Sequence, residues 1–119
     1  MKKTILFGLI LMMGFLLTAE DNEKAKPLVT FLEIGAVSCI PCRMMIPVMK
    51  EIEEEYGDKI EVIFHDVTKD KNIAAKYGIR AIPTQVFLDE HGKEFHRHIG
   101  FYPTVKIKEI LDPILNPED

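Results

Sequence analysis

Short apolar, β-branched runs alternate with segments whose apolar residues recur at helical spacing, and this alternation restricts the possible fold more than any other feature. The predicted strands cover residues 28–37, 60–67, 84–88 and 93–99, and the predicted helices cover residues 39–56, 69–77 and 105–115. A strand–helix–strand unit places its two strands in parallel, whereas a short turn makes a hairpin antiparallel. We therefore expect an α/β fold with a mixed central sheet of about four strands and helices on both faces.

The N-terminal residues differ in composition from the rest of the chain. Residues 2–3 are lysines, residues 4–19 are uncharged and mostly apolar, and a polar segment follows. This arrangement is typical of a secretory signal peptide, and the 16-residue run is shorter than the roughly 20 residues that span a bilayer. An uncleaved anchor and a buried core helix are the alternatives. We expect a signal peptide at 1–19, a linker at 20–27 and a folded domain at 28–116, located in the periplasm or elsewhere outside the cytoplasm.

Length and charge exclude several classes of protein. A chain of 119 residues has room for one domain, which we expect to act as a monomer. The formal net charge is −4 and the basic residues form no long run. Binding to nucleic acid through phosphate contacts is therefore not expected.

Cys39 and Cys42 are the only cysteines, and their C-x-x-C spacing is compatible with several kinds of site. Haem attachment would need a histidine where Arg43 stands. A structural zinc site would need two more ligands, for which His96 and His98 form the only close pair. A purely structural disulfide would close so short a loop that it would stabilise little.

The position of the cysteine pair favours redox chemistry. The pair lies between a predicted buried strand and the start of a helix, where free N–H groups favour a thiolate and lower the pKa of Cys39. Arg43 adds a nearby positive charge. Cys42 comes one turn into the predicted helix, where we expect it to lie deeper. We predict that Cys39 attacks a disulfide and that Cys42 resolves the mixed disulfide, with no cofactor and no metal.

Three motifs together resemble the thioredoxin family. They are CIPCR at residues 39–43, a proline at position 47 and KYGIRAIPT at residues 76–84. The resemblance covers about residues 28–115 and implies a thioredoxin fold. The N-terminal extension would be reduced, because residues 20–27 are too few for the additional strand and helix that full-length members carry first.

The resemblance also implies which residues contact a substrate. Ile82 and Pro83 match the family's cis-proline step, where the residue before the proline offers its backbone to the bound chain. Thr84 follows as in the family. Ile40 and Pro41 lie between the cysteines. These five residues are the predicted substrate-binding positions.

Glu33 lies six residues before Cys39 inside an apolar strand. The family usually has an aspartate there, buried behind the second cysteine, which exchanges a proton with that cysteine. A buried carboxyl group has a raised pKa, which suits this exchange near neutral pH. We predict that Glu33 is catalytic, and the alternative is a glutamate on an edge strand that points to solvent.

Two positions depart from the family pattern. Ser38 stands where thioredoxins usually carry tryptophan, and Gly35 also replaces a tryptophan or another aromatic residue. The surface around Cys39 should therefore be less bulky, and substrates should pack against it differently.

The function predicted from these residues is thiol–disulfide exchange in protein substrates outside the cytoplasm, with a membrane-bound electron donor or acceptor. Pro41 resembles the reducing thioredoxins and favours a reductase. Glutamate at position 33 resembles protein disulfide isomerases and favours an oxidase or isomerase. A different class remains open: a non-catalytic module that binds a metal or a peptide through Cys39, Cys42 and nearby methionines.

Overall fold

A computed structural model describes residues 25–118 of the chain. The predicted signal peptide and most of the predicted linker lie outside the described residues. The elements are β1 (Val29–Gly35), α1 (Ile40–Tyr56), β2 (Ile60–Asp66), α2 (Lys71–Tyr77), β3 (Thr84–Asp89), β4 (Glu94–Ile99) and α3 (Thr104–Leu115). The predicted order of elements is confirmed, and no boundary differs by more than two residues.

The four strands form one mixed sheet in the order β2-β1-β3-β4. Strand β1 is parallel to β2 and antiparallel to β3, and β3 is antiparallel to β4. The predicted mixed sheet is therefore confirmed. Because β1 is a central strand, the alternative that placed Glu33 on an edge strand is wrong.

Helix α2 begins two residues later than the sequence pattern suggested. The Asp70 side chain accepts a hydrogen bond from the Asn72 amide, which caps the helix, whereas the Lys69 amide bonds back to the carbonyl of Asp66. Gly78 ends α2 with a φ of 62°, a left-handed conformation that glycine adopts without strain. The chain can then turn towards β3.

The sheet separates two apolar clusters of different size. The larger cluster lies between one face of the sheet and helices α1 and α3, and includes Phe31, Phe87 and Ile107. The smaller cluster lies on the opposite face beside Ile73 of α2. Side chains alternate along a strand, so Glu33 and Gly35 share the face that Phe31 presents to α1. Helices therefore cover both faces, as predicted.

Within residues 25–118, no helix is both long and apolar enough to cross a membrane.

Candidate active site

Cys39 and Cys42 form a disulfide at the start of α1. Cys39 is the N-cap residue, and its Sγ accepts a hydrogen bond from the Cys42 amide at 3.4 Å. Cys39 is half-buried, whereas Cys42 is only 1% exposed. In the reduced protein, the free N–H groups and the positive end of the helix favour a thiolate at Cys39. The arrangement gives one accessible sulfur for attack and one protected sulfur behind it.

Prolines shape the active-site helix without interrupting it. Pro41 lies in the first turn, where its missing N–H leaves no helical hydrogen bond unmade. Pro47 lies inside α1, which nevertheless continues to Tyr56.

Asp66 fixes the loop that leads from β1 to Cys39. Its carboxylate accepts hydrogen bonds from the Val37 amide at 3.4 Å and from the Thr68 amide at 2.8 Å. These bonds, with those from Thr68 foremost, lower the pKa of Asp66. The Cys39 amide also bonds to the carbonyl of Ala36 at 3.1 Å. Asp66 was not among the predicted site residues, because its link to Val37 depends on the parallel pairing of β1 and β2.

Gly35 lies directly against the buried sulfur. A Cβ atom at this position would stand 2.8 Å from Cys42 Sγ and 3.1 Å from Cys42 Cβ. Both distances are shorter than ordinary van der Waals contact. The glycine that departs from the family pattern therefore lets the backbone of β1 contact Cys42, and any larger residue would have to displace the sulfur.

We expect Gly35→Ala to destabilise the oxidised protein by about 1–3 kcal/mol, as overpacking does. A free thiol can rotate away from the new methyl group, whereas a sulfur held in the disulfide cannot, so the redox potential should become less negative. Urea unfolding of both redox forms and equilibration with glutathione measure the two effects. Gly92→Ala is the control for the potential. A side chain is strained there because φ is 78°, so stability should fall, but its Cβ would meet nothing within 4 Å and the potential should not change. An unchanged potential in Gly35→Ala would contradict the contact.

Glu33 is fully buried, as predicted, and lies on a central strand of the sheet. Burial raises the pKa of Glu33 from its ordinary 4.5 to about 8, although a hydrogen bond from Gln85 lowers it part of the way. Gln85 Nε2 donates to Glu33 Oε1 at 3.2 Å, and Oε2 has no hydrogen-bond partner among the described residues. Glu33 precedes Gly35 by two residues on the same face, so its carboxyl group lies on the Cys42 side of the sheet. At neutral pH this carboxyl group holds a proton.

The predicted substrate-binding residues lie at the same end of the sheet as the cysteines. Thr84 pairs with Ile34 near the end of β1, so Pro83 lies level with the start of the cysteine loop. The Ile82–Pro83 peptide bond is cis, as the resemblance implies. Ile82 is partly exposed, whereas the Thr84 side chain is buried and donates to the carbonyl of Ala81.

Both residues between the cysteines are exposed. Ile40 is 67% exposed, and Pro41 is also exposed. Exposed apolar side chains beside Cys39 are suited to contact a substrate chain.

The residues considered as metal ligands do not gather around the cysteines. His96 contacts Tyr102 and His98 contacts Gln85, and within residues 25–118 no group of three or more His, Cys, Asp or Glu could hold a metal ion. The nearby methionines are also separated: Met45 is fully buried in the core, whereas Met44 is half exposed. The structure therefore brings together a disulfide and a buried acid.

The comparisons with known proteins agree with this site. The family model described as Thioredoxin matches residues 19–113. The chain is 33% identical over 95 residues to thioredoxin of Bacillus subtilis, a match that covers 80% of this chain and 86% of the relative. It is 31% identical over 94 residues to thioredoxin of Staphylococcus aureus, which covers 79% and 89% of the two chains.

Solved structures show the same fold. A thioredoxin mutant from Halobacterium salinarum superimposes with a TM-score of 0.68 at 26% identity, over 75% of this chain and 76% of that one. A malaria-parasite thioredoxin-2 gives a TM-score of 0.67 at 23% identity, over 71% and 82% of the two chains.

Thioredoxins work through their own disulfide on protein thiols and disulfides and need no cofactor. The alternative of a non-catalytic binding module therefore has no support from the relatives. A matched family model, two thioredoxin relatives and a C-x-x-C disulfide at a helix N-cap together show that this chain belongs to the thioredoxin family and is a protein-disulfide oxidoreductase.

Proposed function

We propose that this enzyme reduces disulfides in proteins outside the cytoplasm. The observation that carries the proposal is the placement of the cysteines: Cys39 is accessible at the N-cap of α1, whereas Cys42 is buried behind it. This asymmetry suits an attacking thiolate and a resolving thiol. Pro41, which resembles the residue of reducing thioredoxins, supports the direction.

The proposed cycle transfers two electrons from the cysteine pair to the substrate disulfide. The Cys39 thiolate attacks a substrate disulfide, and one substrate sulfur leaves as a thiolate. With a pKa of about 8, Glu33 is ionised in only about a tenth of the molecules at pH 7. This ionised fraction takes the proton from the Cys42 thiol and later releases it to solvent, and the Cys42 thiolate attacks Cys39 Sγ. The second substrate thiolate leaves, and solvent protons convert both substrate thiolates to thiols. The substrate gains two electrons, and Cys39 and Cys42 end as the disulfide.

The proposed location rests on the N-terminal sequence. Two lysines followed by a 16-residue uncharged run are typical of an export signal. Outside the cytoplasm, no cytosolic thiol pool restores the Cys39–Cys42 dithiol, so electrons must come from a partner in the membrane. A single domain with one disulfide can complete this cycle as a monomer.

The redox potential of the Cys39–Cys42 pair tests the direction of the reaction. We expect the purified protein, equilibrated in glutathione buffers, to show a potential near roughly −270 mV, as in thioredoxin. A potential near about −120 mV would overturn the proposal and indicate an oxidase.

Labelling of intact cells tests the location. We expect Cys39 of the full chain, expressed with the membrane-bound donor active, to react with a thiol reagent that does not cross the inner membrane. Lys2→Glu with Lys3→Glu is the matched control, because it removes the basic start and should prevent labelling. Labelling of the wild type only after cell lysis would contradict export.

An oxidase or isomerase is the second candidate, and the protonated state of Glu33 favours it. When a thiolate attacks Cys39 Sγ of the disulfide, Cys42 leaves as a thiolate that needs a proton. A carboxyl group with a pKa of about 8 carries that proton at neutral pH. A reductase uses the same step when its donor restores the dithiol, so the measured potential decides between the two functions.

A further inference from the structure

A row of polar side chains crosses the sheet at the level of Glu33. Glu33 on β1 pairs with Gln85 on β3, and Gln85 pairs with His98 on β4. Directly paired residues project from the same face of a sheet, and here that face packs against α1 and α3. The row therefore connects the buried acid of the active site with the edge strand.

The side chains in this row form a continuous hydrogen-bonded chain. His98 Nδ1 lies 2.8 Å from Gln85 Oε1, and Gln85 Nε2 donates to Glu33 Oε1 at 3.2 Å. An amide oxygen only accepts, so His98 must carry a hydrogen on Nδ1 and donate it. With the Gln85 oxygen turned towards His98, the NH₂ group of the same amide faces Glu33.

Tyr102 holds the His98 ring in place. The two rings are stacked, with centroids 3.9 Å apart and planes inclined by 12°. Tyr102 is itself buried: its hydroxyl group lies 3.0 Å from His96 Nε2, and its amide donates to Met45 Sδ of α1. Because His96 and Met45 hold Tyr102, the stacked His98 ring has little freedom to turn its Nδ1 away from Gln85.

The titratable groups that face this row are few. Tyr102 and His96 lie beside His98, and Cys42 of α1 lies on the Glu33 side. Within residues 25–118, no ion pair involves Glu33 or His98. The protonation of Glu33 is therefore governed by burial and by the hydrogen bond from Gln85, with no charged partner involved.

The direction of these hydrogen bonds distinguishes the two oxygens of Glu33. Oε1 receives an N–H group that can only donate, so the proton of the neutral acid has to be on Oε2. Oε2 is buried and has no hydrogen-bond partner among the described residues. If the Gln85 amide turned over, its oxygen would face the carboxylate, which would disfavour ionised Glu33.

We propose that Gln85 and His98 are positioning residues for proton exchange at Glu33: they keep Oε1 as an acceptor and leave Oε2 to take the proton from Cys42 and return it. This inference rests on the proton transfer between Glu33 and Cys42 in the proposed function. His98 acts only through Gln85, and neither residue touches the reacting sulfur atoms in this scheme.

The test follows the rate at which Cys42 resolves a preformed mixed disulfide on Cys39, as a function of pH. Gln85→Leu removes the hydrogen bond that favours ionised Glu33, so the midpoint of the profile should move upward by roughly one pH unit. His98→Leu should move it in the same direction. The double variant should shift no further than Gln85→Leu alone, because both changes break the same connection.

His98→Asn is the matched rescue variant, because its side-chain NH₂ group can replace the Nδ1–H donor. We expect it to restore the midpoint of the wild type. His91→Leu is the control for loss of a histidine, since His91 lies in the exposed turn between β3 and β4. Midpoints unchanged in both Gln85→Leu and His98→Leu would overturn the inference, and so would equal shifts in His98→Leu and His98→Asn.

Nitrogen NMR of the wild-type protein measures the tautomer of His98 directly and does not depend on the folding of any variant. Neutral His98 should be the Nδ1–H tautomer, and an Nε2–H tautomer would overturn the proposed direction of the chain. A different result would show that Glu33 does not exchange a proton with Cys42, as the proposed function requires. In that case the resolution rate of Glu33→Gln would have the same pH profile as that of the wild type, whatever the tautomer of His98.

Discussion

Replacing Cys39 with serine is expected to stop disulfide exchange, with a loss on the order of a thousandfold or more. A serine hydroxyl group is not ionised near neutral pH and cannot form the mixed disulfide, so the first covalent step is lost. The helix N-terminus that favours the Cys39 thiolate remains, but it has no sulfur to act on. Reduction of insulin by dithiothreitol, followed as turbidity, measures this loss.

Cys42→Ser is the matched control for this prediction. It keeps the attacking sulfur and removes the resolving one, so it should accumulate a mixed disulfide between Cys39 and the substrate protein. Non-reducing electrophoresis detects that adduct. If Cys39→Ser reduced insulin as fast as the wild type, Cys39 would not be the attacking residue. If the adduct formed with Cys39→Ser and not with Cys42→Ser, the roles of the two sulfurs would be reversed.

Replacing Glu33 with glutamine should remove a large pH dependence from the stability of the oxidised protein. The pKa of Glu33 is about 8 in the folded protein and near 4.5 in the unfolded chain. Between these values the folded protein holds a proton that the unfolded chain has released. The resulting stability is fully present below pH 4.5 and is lost as the pH rises towards 8.

The expected slope is about 1.4 kcal/mol for each pH unit, or about 3 kcal/mol between pH 5 and pH 7. Urea unfolding of oxidised wild type and Glu33→Gln at these pH values measures the difference. Glutamine resembles the protonated acid, and the other titrating groups are common to both proteins, so their effects cancel. Glu53→Gln, at an exposed position of α1, should keep the wild-type slope. Parallel stability curves for wild type and Glu33→Gln would show that Glu33 is ionised in the folded protein.

The order of elements and the depth of the two cysteines could be predicted from the sequence because they depend on local patterns. Alternating apolar runs and helical periodicity are set by neighbours in the chain. The cysteine pair could be interpreted as a redox site because a strand precedes it and a helix follows it in the sequence. The start of α2 was misplaced because its cap is a side-chain hydrogen bond at Asp70, which apolar spacing does not reveal.

The remaining features depend on which strands pair. Gln85 and His98 are 13 residues apart in the sequence and come together only through the register of β3 and β4. The contact of Gly35 with Cys42 likewise depends on how α1 packs on the sheet. A polar residue inside an apolar strand is nevertheless a usable signal for Glu33, which lies between Leu32 and Ile34 in β1. Gln85 gives a weaker signal, because it follows Thr84 and only precedes the apolar run of β3.

The unequal division of the core should make the two faces of the sheet open at different rates. Helix α2 spans only seven residues and buries a single side chain, Ile73, against the smaller cluster. Helices α1 and α3 are held by the larger cluster, which also contains Met45 beneath Tyr102. Transient local unfolding should therefore begin at α2 and expose its amides to solvent exchange first. The disulfide and Glu33 belong to the face that stays closed, so the site keeps its geometry through such openings.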